Sequence, residues 1–170
     1  MGKTSFVFVI SALVVIFCIS AAAQSRQPSK PLKPFIVKTA KSVDELEKTL
    51  RVGNKTEDLI GGEGMQLRVA IQHDKLRETA DAEVHDASDD VYYVLDGAAK
   101  LTLGGSLENP RETTPGEWKS KVITGGSTFE IKKGDLIIVP RGTPHQRNSI
   151  KGKEFSMILI KVFRDPIKAK

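Results

Sequence analysis

Cysteine is nearly absent. The 170-residue chain has one, Cys18, and it falls inside an N-terminal apolar run. If that run is cleaved off, no thiol remains, which excludes disulfides, thiolate nucleophiles and thiolate metal sites. Aromatic residues make up only 6% of the chain, with a single Trp. The net charge is +5, yet no five-residue block of like charge and no basic stripe with interleaved aromatics occurs. Nucleic acid is therefore a poor partner. There is no Gly-x-Ser-x-Gly elbow, and Gly61-Gly62-Glu63-Gly64 lacks the Lys-Ser/Thr of a phosphate loop.

What is present begins with a leader. Met1-Gly2-Lys3 is a short basic start, Phe6 to Ile19 is a 14-residue apolar run, and Ala21-Ala22-Ala23 offers small residues for cleavage. That layout predicts a secretory signal peptide over 1–23 and export to the periplasm or the outside. The dense apolar run is shorter than the about 20 residues that a ~30 Å hydrocarbon core needs. Uncharged residues extend from Thr4 to Ser25, so an N-terminal membrane anchor is the alternative. Cleavage after Ala23 takes Lys3 away and leaves Gln24–Lys170 at +4, with no stable membrane insertion.

Residues 24–41, with Pro28, Pro31 and Pro34, read as an extended linker. Ser42-Val43-Asp44-Glu45 is a capping box, and Leu46 and Leu50 share a face, which predicts a short helix within 42–53. From 54 to 164 glycines punctuate short runs rich in Val, Ile, Leu, Tyr and Phe. Met65–Ile71, Val91–Leu95, Leu101–Leu103, Lys119–Ile123, Phe129–Ile131, Leu136–Val139 and Phe155–Val162 are predicted strands. In the first, Met65, Leu67, Val69 and Ile71 share one face and Arg68 points away. Strands at such spacing, without helical stretches between them, indicate an all-β barrel or sandwich. Residues 165–170 form a polar tail expected to fray.

Three histidines remain: His73, His85 and His145. His73, at a strand end, reads as a surface residue. Glu83 and His85 stand at i and i+2, on one face of a strand. Asp90 shares strand parity with Tyr92 and Val94, and His145 follows a strand and a Pro/Gly turn. Glu83 and Asp90 also read as solvated acids beside a turn, since Asp86 and Asp89 crowd the same loop. Asn148 reads as a residue that bonds to backbone. Trp118 is placed either at the pocket edge or at an interface.

Gly134-x5-Pro140-x-Gly142-x2-His145-x2-Asn148 resembles the second motif of the cupin superfamily, one residue short in its last spacing. Glu83-x-His85-x4-Asp90-x6-Gly97 is similar to the first cupin motif, with Glu83 where a His is usual and Asp90 where a Glu is usual. The likeness extends over about 60–163, and the pattern resembles small bacterial cupins of no firm function. It implies a single-domain jelly-roll β-barrel with a divalent metal at its mouth, held by Glu83, His85, Asp90 and His145. Two imidazoles and two carboxylates suit Mn, Fe, Zn, Ni or Co. The resemblance implies a metal-dependent enzyme on a small polar molecule, of isomerase, lyase or dioxygenase type. Tyr92 reads either as a core-packing residue or as a hydroxyl offered to a ligand or substrate, and in the second role it is the candidate catalytic residue. A non-catalytic binding protein and a structural or storage dimer are the alternatives, and a homodimer is a candidate assembly.

Overall fold

The computed structural model describes residues 27–168; the segment read as a signal peptide lies outside the described residues. Among the described residues there is one helix, α1 (Ala40–Leu50), followed by twelve strands. These are β1 (Lys55–Ile60), β2 (Leu67–Asp74), β3 (Ala82–His85), β4 (Ser88–Leu103), β5 (Ser106–Leu107) and β6 (Arg111–Thr114). They continue with β7 (Glu117–Ser120), β8 (Ile123–Thr124), β9 (Ser127–Lys132), β10 (Leu136–Val139), β11 (His145–Ser149) and β12 (Phe155–Phe163). The all-β barrel implied by the two motifs is present. No described helix is long and apolar enough to cross a membrane.

Helix α1 starts a little before the capping box. Thr39 is the N-cap, accepting from the Ser42 backbone N–H, while the Ser42 hydroxyl donates back to the Thr39 carbonyl. A hydroxyl three residues upstream satisfies the same orphan donors, so Ser42 lies inside the helix.

Every strand pairing is antiparallel, and β4 organises them. Its first half lies between β12 and β10, and its second half between β11 and β9. The sequence reads as two separate runs because Asp96-Gly97 interrupts them. The chain instead passes through as one 16-residue strand, with a bulge where Met157 pairs with Val94 and Ser156 with Asp96. The extra residue, Leu95, flips the parity, so Asp90, Tyr92 and Val94 are buried before it and Ala99 and Leu101 after it. Gly97 makes the bend feasible: its φ is +75° and a Cβ there would stand 1.9 Å from the Glu154 carbonyl oxygen.

The apolar core is Tyr92, Val94, Ala99, Leu101, Ile131, Val139, Phe155, Met157 and Leu159, contributed by both halves of β4 and the strands around them. The β2 alternation has the reverse sense from the predicted one. Arg68 and Gln72 face the cavity, while His73, of opposite parity, lies beneath α1. His73 is only 1% exposed, which corrects its reading as a surface residue. Its Nδ1 lies 2.8 Å from Ser156 Oγ, which donates to the buried Glu47 carboxylate of α1. β2 is covered on both faces, so hydrophobic alternation alone could not orient it. The polar tail is tied back as far as Ile167, whose backbone exchanges hydrogen bonds with Gly64 and Met65.

Candidate metal centre

Strand pairing assembles the site. Short β3 delivers Glu83 and His85 two residues apart, and β11 lays His145 directly opposite Glu83. The turn before β11 sets where that strand begins, with Gly142 at φ +77° and the Thr143 N–H bonded to the Pro140 carbonyl. As a result Glu83, His85 and His145 each offer a ligand atom within 4.8 Å of the other two. The two imidazole centroids are 5.0 Å apart, with the rings inclined at 56°. Asp90, from β4, lies beside this trio: its Oδ2 is 3.5 Å from His85 Nε2, against 3.8 Å from His85 Nε2 to Glu83 Oε2. The trio is the tight cluster, and Asp90 flanks it on the His85 side.

Nδ1 of both rings is engaged from behind. His85 Nδ1 lies 2.5 Å from Glu117 Oε2 and donates to it. His145 Nδ1 donates to the Thr143 carbonyl oxygen at 3.0 Å. In each ring Nε2, once it carries no proton, is the nitrogen left to act as a donor atom, the arrangement that orients histidine ligands in metal proteins.

No family model matches the chain, and no curated protein matches it. Among solved structures, BH2720 of Bacillus halodurans superposes with a TM-score of 0.55 at 17% identity, over 82% of this chain and 88% of that one. The cupin domain of Schizosaccharomyces pombe Cnp3 gives 0.48 at 15% identity, covering 64% of each chain. A cupin protein of Bacteroides fragilis gives 0.44 at 14% identity, over 69% of this chain and 83% of that one. The antiparallel β-barrel fold is shared with BH2720. At these identities the likeness is one of fold alone.

Within this barrel the site opens into a cavity of about 320 Å³. Besides the four acids and histidines already named, its wall includes Tyr92, Glu117, Arg68, Arg77, Arg147 and Lys161. Tyr92, the candidate catalytic hydroxyl, donates to Asp90 Oδ2 at 3.0 Å. Burial, reinforced by the Asp90 charge, raises the Tyr92 pKa well above its ordinary value, so the phenol stays neutral and keeps this bond. Arg147 is buried and donates twice to Asp74, with its guanidinium over the Tyr92 and Phe155 rings. Asn148 bonds to backbone as read, accepting from the Ala80 N–H. Trp118 points away from the cavity and donates to Asp86 at 2.8 Å.

Three participants escaped the motif reading: Glu117, Lys119 and Lys161. Lys119 Nζ donates to Glu83 Oε1 at 3.0 Å, and Lys161 Nζ stands 3.0 Å from Asp90 Oδ1. The alternation Glu117-x-Lys119 within β7 is the signal that could have found two of them, since Trp118 between them faces the other side.

These pairings set the protonation pattern. Burial raises the Glu83 pKa, but the Lys119 ammonium and the two imidazoles outweigh it and hold it below the usual value. Burial acts on Asp90 in the same way, and His85 and Lys161 overcome it, so Asp90 is strongly depressed. Burial would lower His85, yet Asp90 and Glu117 hold its proton and push its pKa up to about 9. His145 is lowered, chiefly by burial and further by the neighbouring His85 charge. At neutral pH and without a metal, the pair therefore carries one positive charge, on His85.

Proposed function

We propose that Glu83, His85 and His145, with Asp90 beside them, hold one divalent ion, and that the chain is an exported metal-dependent enzyme acting on a small polar molecule. The observation that carries this reading is the pair of committed Nδ1 atoms. Two imidazoles held through Nδ1 and a carboxylate place three ligand atoms within 4.8 Å of one another. The donor chemistry fits Mn, Fe, Zn, Ni or Co. Asp90 Oδ1 is a buried oxygen whose one close partner is the Lys161 ammonium at 3.0 Å, an ion pair without an aligned hydrogen bond. An oxygen of that kind gains from a cation.

The ion would supply Lewis-acid polarisation of a bound oxygen. The protein supplies the rest. Glu117 and Thr143 hold the rings in register, and Tyr92 fixes Asp90 through its hydroxyl, acting as a positioning residue. Buried Arg147 and Asp74 form the polar wall behind Tyr92. His85 must give up its proton for Nε2 to ligate, and Glu117 remains as acceptor for Nδ1–H. Export rests on the leader sequence, and intact mass from a membrane-free extract should show a chain starting near Gln24; a full-length product confined to membranes overturns it.

The test is elemental analysis of the purified protein, expected to find close to one equivalent of a first-row metal. Full retention in the double variant His85→Ala/His145→Ala overturns the assignment. Binding without turnover is a second reading, favoured by the internal pairing of Glu83, Asp90 and Tyr92, which leaves none of them a free acid or base. A ligand returned unchanged from the loaded protein would establish it.

A further inference from the structure

The cation row beside the site calls for a ligand. In the antiparallel register Arg68 of β2 pairs with Lys161 of β12, and Lys161 pairs with Asp90 of β4. All three line the same cavity, so they form one cross-strand row of two adjacent cations and one anion. Like charges placed directly opposite each other destabilise a sheet. Arg68 is relieved by Asp58 at 2.6 Å, at the outer end of the row. Lys161 is less well satisfied. Its side chain is 12% exposed and has three N–H donors. Its partners are Ser88 Oγ at 3.3 Å and Asp90 Oδ1 at 3.0 Å, the latter an ion pair without an aligned hydrogen bond. A nearly buried ammonium with unused donors on a cavity wall is costly unless an acceptor comes to it.

We infer that the cavity takes a small carboxylate, with one carboxylate oxygen received by Lys161 and Arg68 beside the Glu83–His85–His145 cluster. This deepens the reading of the site as a metal centre and rests on it for the position of the ligand's other end. The cavity volume suits a molecule of a few heavy atoms rather than a polymer. Its wall is mostly charged, so an uncharged apolar ligand would leave several polar groups without partners. Of the other cations on the wall, buried Arg147 gives two hydrogen bonds to Asp74 and Arg77 lies 3.8 Å from the same carboxylate, whereas the Asp58 partner of Arg68 is exposed and screened by solvent.

The experiment compares matched pairs that differ only in charge: glycolate with glycolamide, lactate with lactamide, malonate with malonamide, and succinate with succinamide. Binding to the full-length chain, cleaved or not, is read by ligand-observed NMR, once after metal loading and once after chelation. The expected result is at least one carboxylate preferred over its amide by about tenfold, the ordinary worth of a charge-assisted hydrogen bond. That preference should fall below about threefold in Lys161→Met and in Arg68→Gln, and persist in Lys161→Arg. The Arg68 variant, in a half-buried position, guards against a misfolded Lys161 variant, and circular dichroism checks both. A preference that survives in both charge-removing variants overturns the inference, because the metal alone would then be selecting the anion. So does the absence of any preferred carboxylate. Metal content measured on the same samples separates the two readings: bound metal without a carboxylate preference removes only this inference. A carboxylate preference without metal removes only the metal centre.

Discussion

Glu117 Oε2 lies 2.5 Å from His85 Nδ1, so a strand outside both sequence motifs decides which nitrogen of His85 faces the cavity. Outer hydrogen bonds of this kind are usually worth a factor of about 10–100 in metal affinity. Glu117→Gln should therefore weaken binding of zinc or manganese by about that factor, measured by competition with a chelator. Thermal stability of the chelated protein should change far less than in His85→Ala. Unchanged metal affinity would show that Glu117 is only a surface partner of the imidazole.

The bend in β4 gives a prediction independent of the metal. Gly97 and Gly134 both have positive φ, +75° and +89°, but only Gly97 lacks space for a side chain. Gly134→Ala should cost about 1–2 kcal/mol, the price of a left-handed conformation for an L-residue. Gly97→Ala adds a collision with the Glu154 backbone and should exceed about 4 kcal/mol or prevent folding. Denaturant midpoints of the two variants make the comparison. Equal losses would mean that the β4–β12 bulge relaxes around a methyl group.

Helix α1 docks by a polar key. The buried Glu47 carboxylate accepts from Arg51 Nε and Nη2, both at 3.0 Å, and from Ser156. Glu47→Ala leaves those donors without their acceptor and should destabilise the fold by about 1–3 kcal/mol. His73 and Ser156 lie on the sheet face opposite Gln72 and Met157, which line the cavity. Metal affinity should accordingly stay within about twofold of the parent, and a large loss would show that α1 helps to shape the site.

The barrel and its two cavity histidines, His85 and His145, were legible in the sequence because local chemistry dictates them. Pro140-Arg141-Gly142-Thr143 makes a turn whatever surrounds it, and His145 then starts a strand at a fixed offset. Asp90 could be placed inward because Tyr92 and Val94 share its parity and nothing interrupts Val91–Leu95. Lys161 and Arg68 were hidden for the opposite reason. Alternation names two faces of a strand but does not say which one meets a polar cavity, and β2 and β12 are covered on both. β4 looked like two strands because a bulge glycine resembles a turn glycine until its partner strand is known. His73 looked exposed because its cover, α1, lies far away in sequence.

The last prediction concerns protons, and the sign is set by His85. Its pKa rises from an ordinary 6.5 to about 9 in the folded, metal-free protein, because Asp90 and Glu117 outweigh burial. A histidine raised on folding stabilises fully below its unfolded value and loses that contribution as pH climbs through the folded one. The chelated protein should therefore lose melting temperature between about pH 6.5 and 9. A ligated His85 carries no proton on Nε2, so the metal must displace one throughout that window. Metal affinity should rise with pH by up to about tenfold per unit and level off above about 9. An unperturbed histidine would instead level off near pH 6.5. The gap in melting temperature between loaded and chelated protein should widen over the same range, as the chelated form weakens and the loaded form does not. Asp90 and Glu83 are held below their ordinary values and stay ionised throughout, so neither contributes to this slope. His145 is lowered and stays neutral there as well. Measuring both melting curves from pH 6 to 10, with His145→Gln and Glu117→Gln for comparison, tests the assignment. A gap that is flat above pH 7 would show that His85 holds no proton for the metal to displace. It would also show that the Asp90–His85–Glu117 arrangement does not control binding.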